Sequence, residues 1–233
     1  MNGGFVLQYL LSLHEMSLKM AENYGLWLEK KLAEIERTGT RPRLLLQVCC
    51  APCSSYVFEY IARYFDITAF FYNPNISPER EFSFRLSELR RFLDESGHGG
   101  TLIDTPAYVP SEFFDAVRGM EDLPEGGERC RVCYELRLRR TAEAAKAGGF
   151  NFFTTTLSIS PYKNAVWLNE IGIRLGEGYG VEYLRSDFKK KNGYKRSIEL
   201  SGQYDLYRQD YCGCIYSKLE SDRKRTERLN NKK

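Results

Sequence analysis

An α/β protein, with a parallel sheet flanked by helices on both faces, is predicted by three observations. Short apolar runs alternate with longer amphipathic stretches from about residue 43 onward. The segments joining successive runs are too long for hairpins, so the strands they connect should run parallel. The first run, Leu44-Leu45-Leu46-Gln47-Val48, is almost continuously apolar, as a strand buried on both faces requires.

Taken in order, residues 5 to 37 read as helical and end in the charged stretch from Glu29 to Arg37. Thr38-Gly39-Thr40-Arg41-Pro42 breaks that pattern. The run 44–48 is the first strand and leads directly into Cys49-Cys50-Ala51-Pro52-Cys53. Pro52 suits the first turn of the helix expected over 54–64, because its missing N–H would have no helical partner there. Residues 67–72 (Ile-Thr-Ala-Phe-Phe-Tyr) form the second strand, stopped by Asn73-Pro74-Asn75. A long charged helix follows from Ser77 to about Ser96, then a third strand at Thr101–Asp104 and a short helix opening at Pro110. After the turn Pro124-Glu125-Gly126-Gly127, Cys130-Arg131-Val132-Cys133 begins a helix that runs to about Ala147. Phe150–Thr155 is the fourth strand, Asn164–Gly176 a helix, and Val181–Leu184 the fifth strand. A final helix starts near Cys214. The organisation expected is a helical extension over 1–40, an α/β metal-binding body over 41–220 and a basic tail over 221–233.

The 233 residues carry a net charge of only +3, unevenly placed. Between Arg185 and Arg196 six basic residues face one acid, Asp187, with Phe188 and Tyr194 interleaved. From Asp222 to Lys233 six more face two acids. Two such stretches point toward a phosphate-rich partner. No run approaches the roughly 20 apolar residues that span a bilayer, and the first residues lack the basic region of a secretory signal. A cytoplasmic location with no membrane association is the expectation.

In a reducing compartment, clustered cysteines serve metals or redox chemistry more often than structural disulfides. All seven cysteines fall in three clusters: Cys49/Cys50/Cys53, Cys130/Cys133 and Cys212/Cys214. A structural zinc site fits four thiolates, but it usually pairs two CxxC knuckles, and only one is present. Iron–sulfur clusters tolerate irregular spacing because their ligands sit on separate corners. Cys130 and Cys133 would occupy two corners, and the loop after the first strand would supply the others. Successive residues of an extended chain point oppositely, so Cys49 and Cys50 converge only if the chain turns sharply. Otherwise one loop cysteine is left for a second, mononuclear metal. Cys53 stands open between ligation and burial as a small hydrophobe. In Cys212-Gly213-Cys214 the single glycine allows the sulfurs to approach, so that a reversible disulfide would store two electrons; the other reading is two further metal thiolates.

Six segments, in this order, resemble one family closely: Val48-Cys49-Cys50-Ala51-Pro52-Cys53-Ser54; Phe71-Tyr72-Asn73-Pro74-Asn75-Ile76; Arg129-Cys130 through Cys133 to Arg137; Phe153-Thr154-Thr155-Thr156-Leu157 through Ser160-Pro161-Tyr162-Lys163; Asp187-Phe188-Lys189-Lys190; and Tyr211-Cys212-Gly213-Cys214 through Tyr216-Ser217. That family is the QueH-type epoxyqueuosine reductases. The resemblance covers about residues 43 to 220. It implies a sandwich similar to nucleotide-binding PP-loop (HUP-like) proteins, with the Cys49–Ser54 loop where those proteins keep a phosphate loop. It implies reductive removal of the epoxide oxygen from epoxyqueuosine in the anticodon loop of a tRNA, at the expense of an external electron donor. It also implies a 4Fe–4S cluster held by Cys49, Cys50, Cys130 and Cys133, a redox-active Cys212–Cys214 pair, and room for an adjacent mononuclear iron.

The chemistry is consistent with that reading. An epoxide becomes an alkene and water by gaining two electrons and two protons, which a dithiol can supply together. Tyr211, Asp210 and Asp187 are candidate proton donors. Tyr72, Phe188, Tyr194 and Tyr216 are candidate surfaces for stacking bases. The alternative from another class is a zinc-stabilised tRNA-binding module without redox turnover. An ATP-using thiolation enzyme on the same sheet needs a Ser-Gly-Gly-x-Asp-Ser loop, and the sequence has none.

Overall fold

The computed structural model describes residues 23–230. The predicted helix over 5–37 is met from Tyr24 to Thr38 (α1), and its earlier part lies outside the described residues. Asn23 caps α1 by accepting from the Leu26 amide at 3.2 Å. Gly39, in the left-handed region at φ 66°, ends it.

Five strands follow: β1 Arg43–Gln47, β2 Asp66–Phe70, β3 Leu102–Asp104, β4 Phe152–Thr155 and β5 Glu182–Tyr183. Their order across the sheet is β3-β2-β1-β4-β5, and every pairing is parallel. Each strand predicted from sequence is present, with ends shifted by a residue or two. Helices α2 (Ala51–Ile61), α3 (Glu79–Glu95), α4 (Pro110–Ala116), α5 (Glu128–Ala147), α6 (Ala165–Tyr179), α7 (Gly193–Gln203) and α8 (Ile215–Asn230) complete the described chain. A 3-10 turn at Thr156–Ile159 follows β4.

The two layers follow from the strand period of two. Leu44 and Leu46 of β1 face a core built with Leu28 and Leu32 of α1, Val57 and Phe58 of α2, and Leu89 and Phe92 of α3. Leu45 between them faces Tyr134 and Leu138 of α5, with Leu168 and Ile171 of α6. All three leucines are essentially inaccessible. On the second face α6 comes close to the sheet edge. A Cβ on Gly176 would meet the Val181 carbonyl oxygen at 2.8 Å, and one on Gly172 would meet the Tyr183 ring at 2.4 Å.

The chain builds β1 to β3 outward on one side, then crosses to place β4 and β5 on the other. The reversal therefore falls between β1 and β4. In open parallel sheets, the crevice beyond the strands' carboxyl ends at such a reversal is where ligands bind. Buried Gln47, the last residue of β1, holds the crevice floor together. It donates to the Val48 and Tyr72 carbonyls at 3.2 Å each and accepts from the Thr155 hydroxyl at 2.7 Å. No helix among the described residues is long and apolar enough to cross a membrane.

Candidate metal and redox site

The first cysteine cluster occupies the crevice directly after β1. Cys50, at φ −170°, is the last extended residue before α2, and Pro52 lies in that helix's first turn. This abrupt change from strand to helix is the sharp turn that convergence requires. The Cys49 and Cys50 sulfurs lie 3.7 Å apart. Cys53, one helical turn beyond the cap, returns its sulfur over the same point, and all three sulfurs lie within 4.8 Å of one another. The position left open by the sequence thus stands beside the other two. A tetrahedral ion with metal–sulfur bonds near 2.3 Å sets its sulfurs about 3.8 Å apart, so this spacing suits three thiolates on one metal ion.

Charge in this group settles on Cys50. Its thiol is held well below the usual range by hydrogen bonds from Cys49 and Cys53, against the cost of burial, with help from the Arg85 charge and the Gln209 amide. Gln209 Nε2 donates to the Cys50 sulfur at 3.3 Å. Cys49 is pushed up to about 11, first by its hydrogen bond to Cys50.

The second and third clusters meet in a neighbouring small cavity lined by Cys130, Cys133, Cys212 and Cys214, with Arg129, Tyr134, Arg137 and Lys163. Cys130 and Cys133 are in the first turns of α5, where the Gly126 amide donates to the Cys130 sulfur at 3.2 Å. They are not members of the three-sulfur group at Cys49. Burial pushes Cys133 up to about 11, and Cys214 up to about 12 with the charge of Cys212 adding to it. Gly213 sits at φ 127°, and a Cβ there would come within 3.0 Å of Arg85 Nη1 and 3.1 Å of Ile76. Only glycine gives this turn without strain.

Both sulfur groups open on one large cavity of about 560 Å³. Its walls include Cys49, Cys53, Cys212, Asn73, Asn75, Arg137, Lys163, Gln209 and Tyr211. This volume is within the range of small-molecule sites. Cys212 borders both cavities.

Three cations with little or no solvent exposure, Arg85, Arg137 and Lys163, surround the thiols. Arg85 donates to the Cys212 carbonyl at 3.0 Å and pairs with Glu81 at 2.8 Å. Arg137 donates to Asn73 at 2.5 Å and lines the small cavity with Cys133. Lys163 pairs with Glu125 at 3.1 Å and lines the small cavity with Cys212. Although burial works against its charge, the negative groups around it hold its pKa well above the usual lysine range. Arg85 Nη2, Arg137 Nε, Asn75 Oδ1 and Gln209 Oε1 are buried without a partner among the described residues. An all-thiolate donor set inside a positive shell with unspent hydrogen-bonding capacity fits an anionic sulfur–metal assembly.

These cations lie outside any periodic signal in the sequence; Arg85 is in none of the six segments that carry the resemblance, and Arg137 stands only at the end of the Arg129–Arg137 segment. The only hint of Lys163 was its place in the Ser160–Lys163 motif. Among the candidate proton donors, Tyr211 and Asp210 line the large cavity, whereas Asp187 does not; it pairs with Lys189 at 2.8 Å. Among the candidate stacking rings, only Tyr194 lines that cavity. Phe188 and Tyr72 are buried in the core, and Tyr216 packs against Phe113 and Arg129.

A sequence model of the family described as "Epoxyqueuosine reductase QueH" matches residues 44–220. The chain belongs to the QueH family. Its curated relatives include epoxyqueuosine reductase QueH of Streptococcus pyogenes serotype M1, 45% identical over 198 residues, covering 84% of this chain and 78% of that protein. The QueH of Staphylococcus epidermidis is 40% identical over 204 residues, covering 85% of each. The QueH of Thermotoga maritima is 37% identical over 188 residues, covering 79% of this chain and 94% of its own length. The family match takes in all seven cysteines and ends within α8.

Proposed function

We propose that this QueH-family chain is an oxidoreductase that removes the epoxide oxygen of epoxyqueuosine in a tRNA anticodon loop, giving queuosine, and that it works in the cytoplasm. The observation that carries this reading is that Cys49, Cys53 and Cys212, from segments far apart in sequence, border one cavity at the reversal of the sheet. Family membership supports the substrate.

The iron–sulfur centre is assigned to Cys49, Cys50, Cys130 and Cys133, with Cys53 joining the first pair where the three sulfurs converge. An adjacent mononuclear iron would draw on that same group. Held by these cysteines, such a centre would supply one-electron transfer from an external donor. Cys212 and Cys214 form the two-electron pair. The balance closes on the thiols: epoxide plus dithiol gives alkene, water and disulfide, both protons coming from the two thiols. Lys163 lines the small cavity beside Cys212 and brings a buried positive charge to it. Glu125 fixes that lysine and accepts from the Ser217 hydroxyl at 2.9 Å, while Ser217 Oγ accepts from the Cys212 amide at 2.9 Å. The network therefore positions both the sulfur and the cation beside it.

The test is anaerobic turnover of epoxyqueuosine-containing tRNA by wild type, Cys212→Ser and Cys130→Ser, with iron and acid-labile sulfide measured on each. Loss of turnover in both is expected, with iron retained by Cys212→Ser and reduced in Cys130→Ser. Full activity in both variants overturns the roles. The spacing of the three-sulfur group also favours a second reading, a zinc-stabilised tRNA-binding module. Zinc without iron or sulfide in anaerobically prepared protein, together with no turnover, would establish it.

A further inference from the structure

Helix α8 has a face the proposed chemistry does not use. Ser217, Glu220, Ser221, Lys224, Arg225 and Arg228 all border the large cavity. They recur at steps of three and four, so one stripe of the helix forms a wall that climbs from the level of Cys212. The stripe from Ser217 to Arg228 is about 16 Å long. Its lower end is polar and its upper end cationic. The cationic part begins beyond residue 220, where the family match stops.

The upper cations are exposed and loosely engaged. Lys224 pairs with Glu220 at 2.7 Å and Arg225 with Asp210, while Arg228 has no ion pair among the described residues. Exposed pairs of this kind contribute little and exchange readily for a stronger anion. In the other basic stretch Lys191 and Arg196 form similarly exposed pairs with Glu29 and Glu59, and Lys189 a more buried one with Asp187. Of that stretch only Tyr194 lines the cavity, whereas the α8 cations do line it.

The Ser160–Lys163 turn also lines the cavity and carries Tyr162. That ring is 75% exposed, the most exposed large apolar side chain among the described residues, and no aromatic ring packs on it there. Its backbone is fixed by a hydrogen bond from the Tyr162 amide to Ser160 Oγ at 3.3 Å, and the next residue is the buried Lys163. An unstacked ring on an anchored turn, in the lining of a cavity also bordered by a cationic helix, is the combination that captures single-stranded nucleic acid: stacking on one side, phosphate contacts on the other.

We infer that Tyr162 and the Lys224–Arg228 stripe of α8 form a clamp for the RNA strand flanking the reacting nucleotide. Tyr162 stacks a neighbouring base, and Lys224 and Arg228 hold backbone phosphates, leaving the modified base free to enter the cavity. This inference rests on the tRNA substrate proposed above and names the contacts that bring it in.

The test measures binding of epoxyqueuosine-containing tRNA to metal-loaded protein by fluorescence anisotropy across a potassium chloride series, alongside anaerobic kcat and KM. Removing two phosphate contacts with Lys224→Ala/Arg228→Ala should weaken binding and flatten the log–log salt slope by about 1.4, at roughly 0.7 per single-stranded contact. Tyr162→Ala should cost about 5- to 160-fold in affinity without altering the slope, the cost of one base–aromatic stack. Tyr162→Phe should bind like wild type. In each weakened variant the loss should fall mainly on KM. Wild-type affinity and slope in both alanine variants would overturn the clamp, as would displacement of tRNA by polyglutamate at equal charge concentration. If wild type turns the tRNA over and the variants match it, only the clamp fails. If wild type binds the tRNA without reducing it, the reductase reading fails instead.

Discussion

At the scale of single residues, the site depends on small distances around Cys212. Gly213 is the clearest case, because its φ of 127° strains any side chain and a Cβ there would press on Arg85 Nη1 at 3.0 Å. Gly213→Ala should leave the sheet intact, measured by circular dichroism, while lowering anaerobic turnover about 100-fold, the scale expected when reacting groups are displaced by about an ångström. Exposure and charge also separate the two sulfurs of the pair. Cys212 is half-buried and shares its cavity with Lys163, whereas Cys214 is buried and pushed up to about 12. In metal-free reduced protein, iodoacetamide should therefore modify Cys212 well before Cys214, as read by mass spectrometry of tryptic peptides. Equal rates at the two sulfurs would contradict this. The cysteines were legible in the sequence because clustering is a local property. Arg85, Arg137, Lys163 and Gln209 were not, because each reaches the thiols from a separate element and only the tertiary fold gathers them.

Among the elements, strands were the easiest to read and α7 the hardest. The central strands β1 and β4 are buried along almost their whole length, so their apolar runs persist without interruption. Helix α7 begins among lysines, after Lys191 and Asn192 at positive φ and without a side-chain cap, and it buries only Gly193, Ser197, Leu200 and Ser201. Its apolar pattern is too thin to announce a helix, and residues 185–196 read instead as a charged stretch. Contact rather than periodicity holds the element in place. A Cβ on Gly193 would lie 2.0 Å from the Phe188 carbonyl oxygen and 2.5 Å from the Tyr56 ring. Gly193→Ala should destabilise the protein by about 1–3 kcal/mol through overpacking, only partly offset by alanine's better helix propensity. Urea unfolding monitored by tyrosine and tryptophan fluorescence would measure it, and an unchanged midpoint would show that α7 can simply move aside. The resemblance seen in the sequence located the loops accurately, but it carried no information on which rings face the cavity. Phe188 and Tyr72 turned out to be core residues.

For the molecule as a whole, the sulfurs join segments that the sheet alone leaves separate: the loop after β1, the start of α5 and the segment before α8. On the proposed reading, a bound metal assembly is shared by these segments, so its free energy of binding adds to the stability of the folded state. Chelation under anaerobic conditions should lower Tm by several degrees. Hydrogen exchange should accelerate around residues 126–133 and 210–220 while β1 and β4 stay protected. A Tm indifferent to metal removal would place the assembly outside the fold's load path. The sheet itself has a further consequence. Its outermost members, β3 and β5, are only three and two residues long. A neighbouring copy therefore finds almost no open hydrogen-bonding ladder to extend, and the molecule can carry a strongly apolar centre at high concentration without offering a template for edge-to-edge aggregation.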